Sequence, residues 1–548
     1  MTAPLDRLRA ELARAARALG ASPDVDPIIE RPRDPSFGDW ATNLAMTLAK
    51  PLGRKPRDIA DALIASLDKS AAGIQSAEVA GPGFINIRMA AEVSSEGLRA
   101  LIAQGPAYGR GNEGAGAQVN VEFVSANPTG PLHVGHGRQA ALGDAISALL
   151  EWTGWDVSRE FYYNDAGVQI ANLALSVQAR VRELRGQAAT LPEGGYHGEY
   201  IRDVAARYVA EHPNDANGDD LDAVRRLAVR ALREEQDRDL QAFGVAFNIY
   251  FLESSLYDDG AVDRTVQRLI AAGHTYEKDD ALWLATTEYG DDKDRVMRKR
   301  DGTYTYFVPD VAYHVTKWER GFHRAINVQG ADHHSTVTRV RVGLQALDVG
   351  IPAGYPEYVL HQMVTVMRGG EEMKISKRAG SYVTVRDLID EVGRDAVRYF
   401  FLMRKGESQL VFDVDVARSQ SDENPVYYIQ MAHARMSGIF RVGEIDAATI
   451  TGAGVDLSVL SLPEEQELIN LLLDFPSLIA GAADALEPHR VATYLHDMAG
   501  RVHLWYHKAH VLNEPEAIQN ARLVLARAAQ IVLRNGLSLL GIAAPERM

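Results

Sequence analysis

SANPTGPLHVGHGR, residues 125–138, combines proline and glycine with two histidines that lie three residues apart. Alternating apolar residues before it predict a strand that ends near Phe123, and apolar residues at helical spacing from Leu142 to Leu150 predict a helix after it. A strand, a loop and the start of a helix are typical of a nucleotide site, because backbone N–H groups and the positive end of the helix attract phosphates. Gly135 has no Cβ that could keep a nucleobase away.

A second loop, MKISKRAG at residues 373–380, concentrates positive charge far along the chain. Lys374, Lys377 and Arg378 can place their cations on a pyrophosphate and release it afterwards. Taken alone, this loop is more simply a solvated surface turn, and the two histidines are more simply unrelated side chains. Their presence in one chain, in this order, favours the nucleotide site.

Together the two loops resemble the HIGH and KMSK signatures of class I aminoacyl-tRNA synthetases, and VEFVSANPTGPLHVGH at 121–136 resembles the arginyl-tRNA synthetase form of the first. Several other segments resemble the same family: YYNDAG at 162–167, NPVYYIQMAHAR at 424–435, APERM at 544–548, and FGDWATN at 37–43 with GPGFIN at 81–86. The last two are similar to a leader domain that contacts tRNA. The resemblance extends from about residue 5 to the last residue.

The patterns and the resemblance together predict an α/β protein of three domains. We expect an N-terminal α+β tRNA-contacting domain at 1–105 and a Gly-rich linker up to residue 116. A catalytic domain at 117–415 is expected to hold a Rossmann-like, doubly wound parallel sheet with a helical insertion, which contains the polar loop 212–220. An all-α anticodon-binding bundle is expected at 416–548.

Composition limits the function classes. The net charge of −16 argues against non-specific nucleic-acid binding, so a tRNA would need local basic faces. Lys50, Arg54, Lys55 and Arg57 are one candidate face, or else a solvated loop. The absence of cysteine excludes disulfides, thiolate zinc sites and a catalytic thiol, and fits a cytoplasmic location. No apolar run approaches the ~18 residues of a membrane span, and the N-terminal leucine stripe predicts a folded helix rather than a transit peptide.

The resemblance implies that ATP, accompanied by Mg²⁺, binds the two signature loops. His133 and His136 would bind the phosphates, and Lys374 and Lys377 would neutralise the departing pyrophosphate. The other residues expected at ATP are Pro131, Gly135, Gly137, Asp332, His333, Ser376 and Arg378. The first signature itself consists of Ala126, Asn127, Pro128, Thr129, Gly130, Pro131, Leu132, His133, Val134, Gly135 and His136.

An arginine substrate requires carboxylates that match the planar donors of its guanidinium. By resemblance, Glu122 and Asp310 supply them and Tyr306 packs along the substrate's methylenes. The remaining residues expected at the amino acid are Ser125, with Asn127 and Gln329 at the α-amino group. From the residues alone, Glu122 is equally a surface acid at a strand end and Asp310 a helix N-cap.

Two polar clusters leave alternatives open. Asn164, Asp165 and Gln169 either orient the substrate or the tRNA end, or cap a helix. Asp332-His333-His334 has the residue types of a metal site, but adjacent histidines on a turn rarely converge on one ion. We therefore expect no protein-bound metal there, and a structural or ATP-ribose role instead.

The helical C-terminal part combines aromatic stacking surfaces with hydrogen-bond donors, as readers of single-stranded RNA do. The residues expected to contact tRNA are Tyr427, Tyr428, Gln430, His433 and Arg435, with Phe37 and Asn43 in the N-terminal domain. Tyr-rich helices are also common in protein cores, so which side chains face RNA stays open.

These observations predict a monomeric enzyme that joins L-arginine to its tRNA at the expense of ATP and needs bound tRNA for the first step. One alternative is a class I synthetase for another amino acid, which the acidic pair of Glu122 and Asp310 disfavours. A second is a non-catalytic tRNA-binding relative, which has no need to keep both signatures.

Overall fold

The computed structural model describes residues 4–32, 34, 37–165, 167–215, 217–373 and 382–548, and the fold is that of these residues. From the N-terminus to the first central strand, the elements are α1 (Pro4–Ala18), β1 (Ile29–Glu30), β2 (Trp40–Thr42), α2 (Leu44–Leu52), α3 (Pro56–Ser66), α4 (Lys69–Ala72), β3 (Ile74–Ala80), β4 (Phe84–Met89), α5 (Ala91–Gln104) and β5 (Gln118–Glu122).

The elements that follow up to residue 330 are α6 (Val134–Trp152), β6 (Asp156–Tyr163), α7 (Gly167–Leu184), α8 (Glu199–Glu211), α9 (Leu221–Ala242), β7 (Ile249–Leu252), α10 (Glu253–Asp258), α11 (Ala261–Ala271), β8 (Thr275–Lys278), β9 (Ala281–Leu284), β10 (Arg295–Arg298), α12 (Phe307–Glu319) and β11 (Ala325–Gly330). The remainder are α13 (His334–Gln345), β12 (Glu357–His361), β13 (Val364–Arg368), β14 (Glu371–Glu372), α14 (Val385–Val392), α15 (Arg394–Leu402), β15 (Leu410–Asp413), α16 (Val414–Arg418), α17 (Pro425–Val442), α18 (Pro463–Asp484), α19 (His489–Lys508) and α20 (Glu516–Leu539).

The N-terminal unit is an antiparallel sheet, ordered β1-β2-β4-β3, that is covered by α1 to α4. Leu8 and Leu12 on the predicted leucine stripe of α1 are fully buried in the same apolar cluster as Ile85 and Ile87 of β4. The N-terminal helix predicted from this stripe is therefore confirmed.

A parallel sheet ordered β12-β11-β5-β6-β7 lies at the centre of the molecule. Val121 of β5 pairs with Arg159 of β6 on one side and with Ile326 of β11 on the other. The chain builds outward from β5 in both directions, so the carboxyl end of β5 is the point where the winding reverses. In open α/β sheets, ligands bind at such a point, and the predicted doubly wound sheet is confirmed.

Two insertions follow the first half of this sheet. Helices α7, α8 and α9 bury their own apolar cluster, which includes Leu173, Val204 and Leu227, and they are the predicted helical insertion. A small antiparallel sheet ordered β10-β9-β8 lies between β7 and α12 and was not predicted. Its strands span four residues each, too few for an alternating pattern to stand out.

The C-terminal helices α17 to α20 share one continuous apolar core with the central sheet. Leu468, Leu472 and Phe475 of α18 are fully buried there. The stretch from Gly105 to Gly116 is not a loose linker. Gly111 and Gly114 donate backbone hydrogen bonds to the end of α6, and Asn535 of α20 donates to the Gly105 carbonyl. Within the described ranges, the structure contains no helix with both the length and the apolar character of a membrane span.

Arg31 joins the N-terminal unit to the C-terminal helices. Its guanidinium donates to Asp474 of α18, at 2.7 Å from Nη2 to Oδ1 and 3.0 Å from Nε to Oδ2, and to the Asp39 carbonyl at 2.8 Å. It also lies 3.7 Å from the centroid of the Trp40 ring. Burial raises the pKa of Asp474, and the guanidinium opposes that rise. The placement of the N-terminal unit depends on this stacked, bidentate ion pair.

Arg31→Ala is expected to lower the free energy that holds the N-terminal unit against the C-terminal helices by about 2 kcal/mol, because it removes charge-assisted hydrogen bonds to a half-buried carboxylate. Amide hydrogen exchange in β2 and β4 measures the effect. Arg9→Ala is the control, since its surface pair with Asp26 is 3.9 Å long and contributes little. Equal protection of β2 and β4 in Arg31→Ala and in the wild type would contradict this role.

Candidate active site

The first signature loop leaves the carboxyl end of β5 through a strained turn. Val124 and Ser125 adopt φ angles of 68° and 40°, in the left-handed region, which costs about 1–3 kcal/mol for such residues. The Ser125 hydroxyl donates to Glu122 Oε1 at 3.0 Å and accepts the Tyr162 N–H at 3.2 Å. This hydroxyl therefore ties the ends of β5 and β6 together beneath the loop.

Side chains from distant elements hold the rest of the loop. Gln236 of α9, which is fully buried, donates its Nε2 to the carbonyls of Asn127 and Gly130, at 3.1 and 2.9 Å. The hydroxyls of Tyr200 and Tyr382 donate to the carbonyls of Thr129 and Pro131, respectively. The Asn127 side chain donates to Gln169 Oε1 at 2.7 Å. The helical insertion thus fixes the conformation of the signature.

The two signature histidines stack at the start of α6. His133 is the N-cap, and its Nδ1 accepts the N–H groups of Gly135 at 3.1 Å and His136 at 3.4 Å. Because Nδ1 is the acceptor, the neutral ring carries its proton on Nε2. The two imidazole centroids are 3.7 Å apart. Both rings therefore lie at the positive end of a 19-residue helix.

The two glycines of this signature serve different purposes. A Cβ on Gly135 would lie 2.9 Å from Cε1 of the His133 ring, so the glycine leaves that ring its position. A Cβ on Gly137 would lie 2.8 Å from both Phe401 and Val385. Gly137 is buried in the packing of α6 against α14 and α15, and its contact with ATP stays a prediction.

Glu122, at the end of β5, is buried, with 5% of its surface exposed. Its Oε2 accepts a hydrogen bond from Lys317 Nζ at 2.6 Å, and Lys317 is fully buried. The alternative of a surface acid is therefore wrong for Glu122. Sequence analysis missed Lys317. Asp310, His314 and Lys317 lie at positions i, i+4 and i+7 of α12 and so share one face of the helix. This spacing could have indicated Lys317 as a residue of the site.

Asp310 lies in the first turn of α12, where Tyr306 holds the N-cap position, so the alternative of a cap is wrong for Asp310. Burial raises its pKa to about 7, and the negative charges of Glu253 and Glu122 add to the rise. Glu253, a residue that sequence analysis missed, is buried and accepts a hydrogen bond from the Tyr162 hydroxyl at 2.8 Å. The charges of Glu122 and Glu253 therefore both act on Asp310, and the three carboxylates form one group.

The remaining predicted pocket residues lie at the same edge. Gln329 stands near the carboxyl end of β11, and its buried Oε1 has no hydrogen-bond partner within the described part of the chain. Tyr306 is 73% exposed beside the pocket. Asp332, His333 and His334 follow β11 and are solvent-exposed, so they belong to no packed core.

Comparison with known proteins agrees with this geometry. Three family profiles match the chain: "Arginyl tRNA synthetase N terminal domain" at residues 6–89, "tRNA synthetases class I (R), catalytic domain" at 98–436, and "DALR anticodon binding domain" at 429–548. Arginine–tRNA ligase from Geotalea daltonii is 58% identical over 531 residues, and that from Geobacter metallireducens is 57% identical over 534. Each alignment covers 95% of both chains. The chain belongs to the arginyl-tRNA synthetase family.

The family membership confirms the resemblance drawn from the motifs, and with it the class I enzyme and fold. The alternative of a class I synthetase for another amino acid is wrong. The fold also matches a solved arginyl-tRNA synthetase from Thermus thermophilus, with a TM-score of 0.76, 24% identity and 99% of each chain covered.

Most of the second signature lies outside the residues that the structure describes. Lys374, Ser376, Lys377 and Arg378 lie outside the described residues, so their predicted roles stay predictions. The chain that follows them contacts the first signature, since the Val385 N–H donates to the Leu132 carbonyl at 2.9 Å.

Asp165 caps a helix other than its own. Its carboxylate accepts the N–H and the hydroxyl of Ser254, at 3.0 and 2.8 Å, at the start of α10. Beside it lies an open pocket of about 390 Å³ that sequence analysis missed. Four arginines of α9, Arg225, Arg226, Arg230 and Arg233, line this pocket together with Asp165, Glu234 and Asp237.

The RNA-contact residues predicted on α17 separate into two groups. His433 is fully buried and donates Nδ1 to the Pro545 carbonyl at 2.8 Å, while Gln430 donates to Asp395 and to the Ala543 carbonyl. Both side chains contact the C-terminal tail, and their contacts with tRNA stay predictions. Tyr427, Tyr428 and Arg435 keep part of their surface exposed, as does Asn43 ahead of α2, and Phe37 is 58% exposed.

Gly135→Ala is expected to fold normally and to lower the rate of arginine activation about 10- to 100-fold, because its Cβ displaces the His133 ring. Gly137→Ala is the matched comparison, since its Cβ meets packed side chains and lowers stability by about 1–3 kcal/mol instead. Thermal unfolding and tRNA-dependent pyrophosphate exchange separate the two effects. Wild-type exchange in Gly135→Ala would contradict the role given to its missing Cβ.

Proposed function

We propose that the carboxyl edge of the sheet activates L-arginine with ATP and transfers the arginyl group to the 3′ end of arginine tRNA. The observation that carries the proposal is a juxtaposition: a helix N-terminus with stacked imidazoles follows β5, and the last residue of β5, Glu122, belongs with Asp310 and Glu253 to one group of interacting carboxylates. The first part suits phosphates, and the second suits a guanidinium.

In the first step, an oxygen of the arginine carboxylate attacks the α-phosphorus of ATP, and the bond to the pyrophosphate oxygen breaks. His133 and His136 would donate to the phosphate oxygens as charge builds on them. Lys374 and Lys377 keep their predicted role of neutralising the leaving pyrophosphate. In the second step, a hydroxyl of the tRNA 3′ end attacks the arginyl carbonyl, and AMP leaves.

Asp310 and Glu253 are the proposed counter-charges of the guanidinium, with Glu122 beside them. Neither Asp310 nor Glu253 forms an ion pair with a cation in the described ranges, so the pocket holds uncompensated negative charge. Ser125, Asn127 and Gln329 are proposed at the α-amino end, and the exposed ring of Tyr306 would be covered by the substrate's methylenes. Asp332 and His333 are proposed at the ribose of ATP.

Mg²⁺ would accompany ATP. No group of three histidine or acidic side chains among the described residues is arranged to hold a metal ion. The ion would therefore be held by the phosphates themselves, as Mg²⁺ often is.

The arginines on α9 are the proposed contacts for phosphates of the tRNA end. The exposed cluster of Lys50, Arg54, Lys55 and Arg57 on the N-terminal unit is a further proposed contact. Tyr427, Tyr428, Arg435, Phe37 and Asn43 remain proposed tRNA residues. Because Gln236 of α9 also holds the signature loop, contact between tRNA and this helix would bear directly on activation. We further propose that the protein acts as a cytoplasmic monomer.

Charging of total tRNA by the purified protein, with each of the twenty amino acids in turn, tests the proposed reaction. We expect charging with arginine only, because unpaired buried carboxylates penalise uncharged side chains. Pyrophosphate exchange with arginine is expected only when tRNA is present. Charging with another amino acid, or none at all, would contradict the function, and full exchange without tRNA would contradict the tRNA requirement.

The KM for arginine is expected to rise as the pH falls below 7. The free pocket holds a proton on Asp310 there, since its pKa is raised to about 7, and the bound guanidinium requires the ionised carboxylate. The rise approaches about tenfold per pH unit, while the KM for ATP stays level. Asp310→Asn should bind arginine weakly at every pH and lose this dependence. If the wild-type KM for arginine does not change between pH 6 and 8, Asp310 is not the group that binds the guanidinium.

A further inference from the structure

Lys317 is a buried cation next to the arginine pocket. None of its surface is exposed. Its Nζ donates to Glu122 Oε2 at 2.6 Å and to Asn327 Oδ1 at 3.1 Å, and it lies 4.5 Å from the centroid of the Tyr313 ring. A buried ion pair carries a desolvation cost that an apolar pair of similar size would avoid. The position of Lys317 therefore calls for an explanation beyond stability.

The hydrogen bonds of Lys317 continue across the pocket wall. Asn327 of β11 donates its Nδ2 to His314 Nε2 at 2.7 Å, and His314 donates Nδ1 to the backbone carbonyl of Asp310 at 2.7 Å. This pattern requires a neutral imidazole, and burial agrees by lowering the pKa of His314 to about 4. An unbroken chain thus runs from the carboxylate of Glu122 to the backbone of Asp310.

The neighbouring contacts identify Glu122 as the carboxylate that pairs with Lys317. The other nearby carboxylate, Glu160 of β6, already accepts two hydrogen bonds from Arg320, at 2.9 and 3.0 Å, and one from the Tyr313 hydroxyl. Glu122 has no other cation partner in the described ranges.

The charges also match a specific substrate. Among the described residues of the pocket, Glu122, Asp310 and Glu253 carry three negative charges when ionised, and Lys317 cancels one. The net negative charge that remains suits the guanidinium, which is the one charge of arginine that the proposed function places at these carboxylates.

We propose that Lys317 is a positioning residue for arginine recognition. Its ammonium fixes the direction of the Glu122 carboxylate, and its link through Asn327 and His314 fixes the first turn of α12, which carries Asp310. The inference rests on the proposed function and names a residue through which that pocket is held.

The test compares Lys317→Met with Arg320→Met in the full-length enzyme. The two residues lie one turn apart on α12, and each pairs with a buried carboxylate on a neighbouring strand. Lys317→Met is expected to raise the KM for arginine about 10- to 100-fold and to leave the KM for ATP within about twofold. Arg320→Met is expected to lower the melting temperature without changing the KM for arginine.

Asn327→Leu provides a second variant, since Lys317→Met leaves Glu122 buried without a cation and can unfold the domain. It keeps the ion pair and cuts the link to Asp310, so its arginine KM is also expected to rise selectively. If Lys317→Met folds and its KM for arginine equals that of the wild type, the proposal is overturned. If Lys317→Met does not fold, a wild-type KM for arginine in Asn327→Leu overturns it. An equal rise in Arg320→Met would do so as well. Failure of the proposed function is a different result, because then the wild type itself does not charge arginine.

Discussion

The Nδ1 atom of His133 accepts the backbone N–H groups that begin α6, and this cap fixes where the proposed phosphate end of the site lies. The imidazole can hold that position only because Gly135 adds no Cβ against it and because the loop before it is bonded by Gln236, Tyr200 and Tyr382. Those side chains come from the helical insertion and from the chain that follows the second signature. Parts of the molecule that are distant in sequence therefore determine the geometry of one helix start.

The arginine end of the site depends on buried electrostatics. Glu122 and Asp310 stand on different elements. Lys317 pairs with Glu122, while burial and nearby negative charge raise the pKa of Asp310 to about 7. A bound cation would lower that pKa and favour the ionised carboxylate. The pocket is thus charged enough to select a cation and buried enough to make an uncharged competitor costly.

Much of this could be predicted from the sequence because the chemistry is local. Short patterns predicted the strand before the first signature loop, the helix after it and the N-terminal helix. The structure confirms all three, as β5, α6 and α1. The spacing of Lys317 indicates its face of α12, but its pairing could not be predicted, because its partner Glu122 lies 195 residues away. The surroundings of His433 could not be predicted for a related reason. Its spacing on α17 does not reveal that the C-terminal tail covers it.

Helix α12 carries Asp310, His314 and Lys317 on one face, at spacings of four and three residues. An α-helix turns by about 100° per residue, so inserting or deleting one residue ahead of this face would swing all three side chains out of the pocket at once. We therefore expect recognition of the amino acid to be lost when the length of α12 changes and to be retained after many substitutions elsewhere on this helix. Libraries that seek a new amino-acid preference should vary side chains on this helix and leave its register untouched.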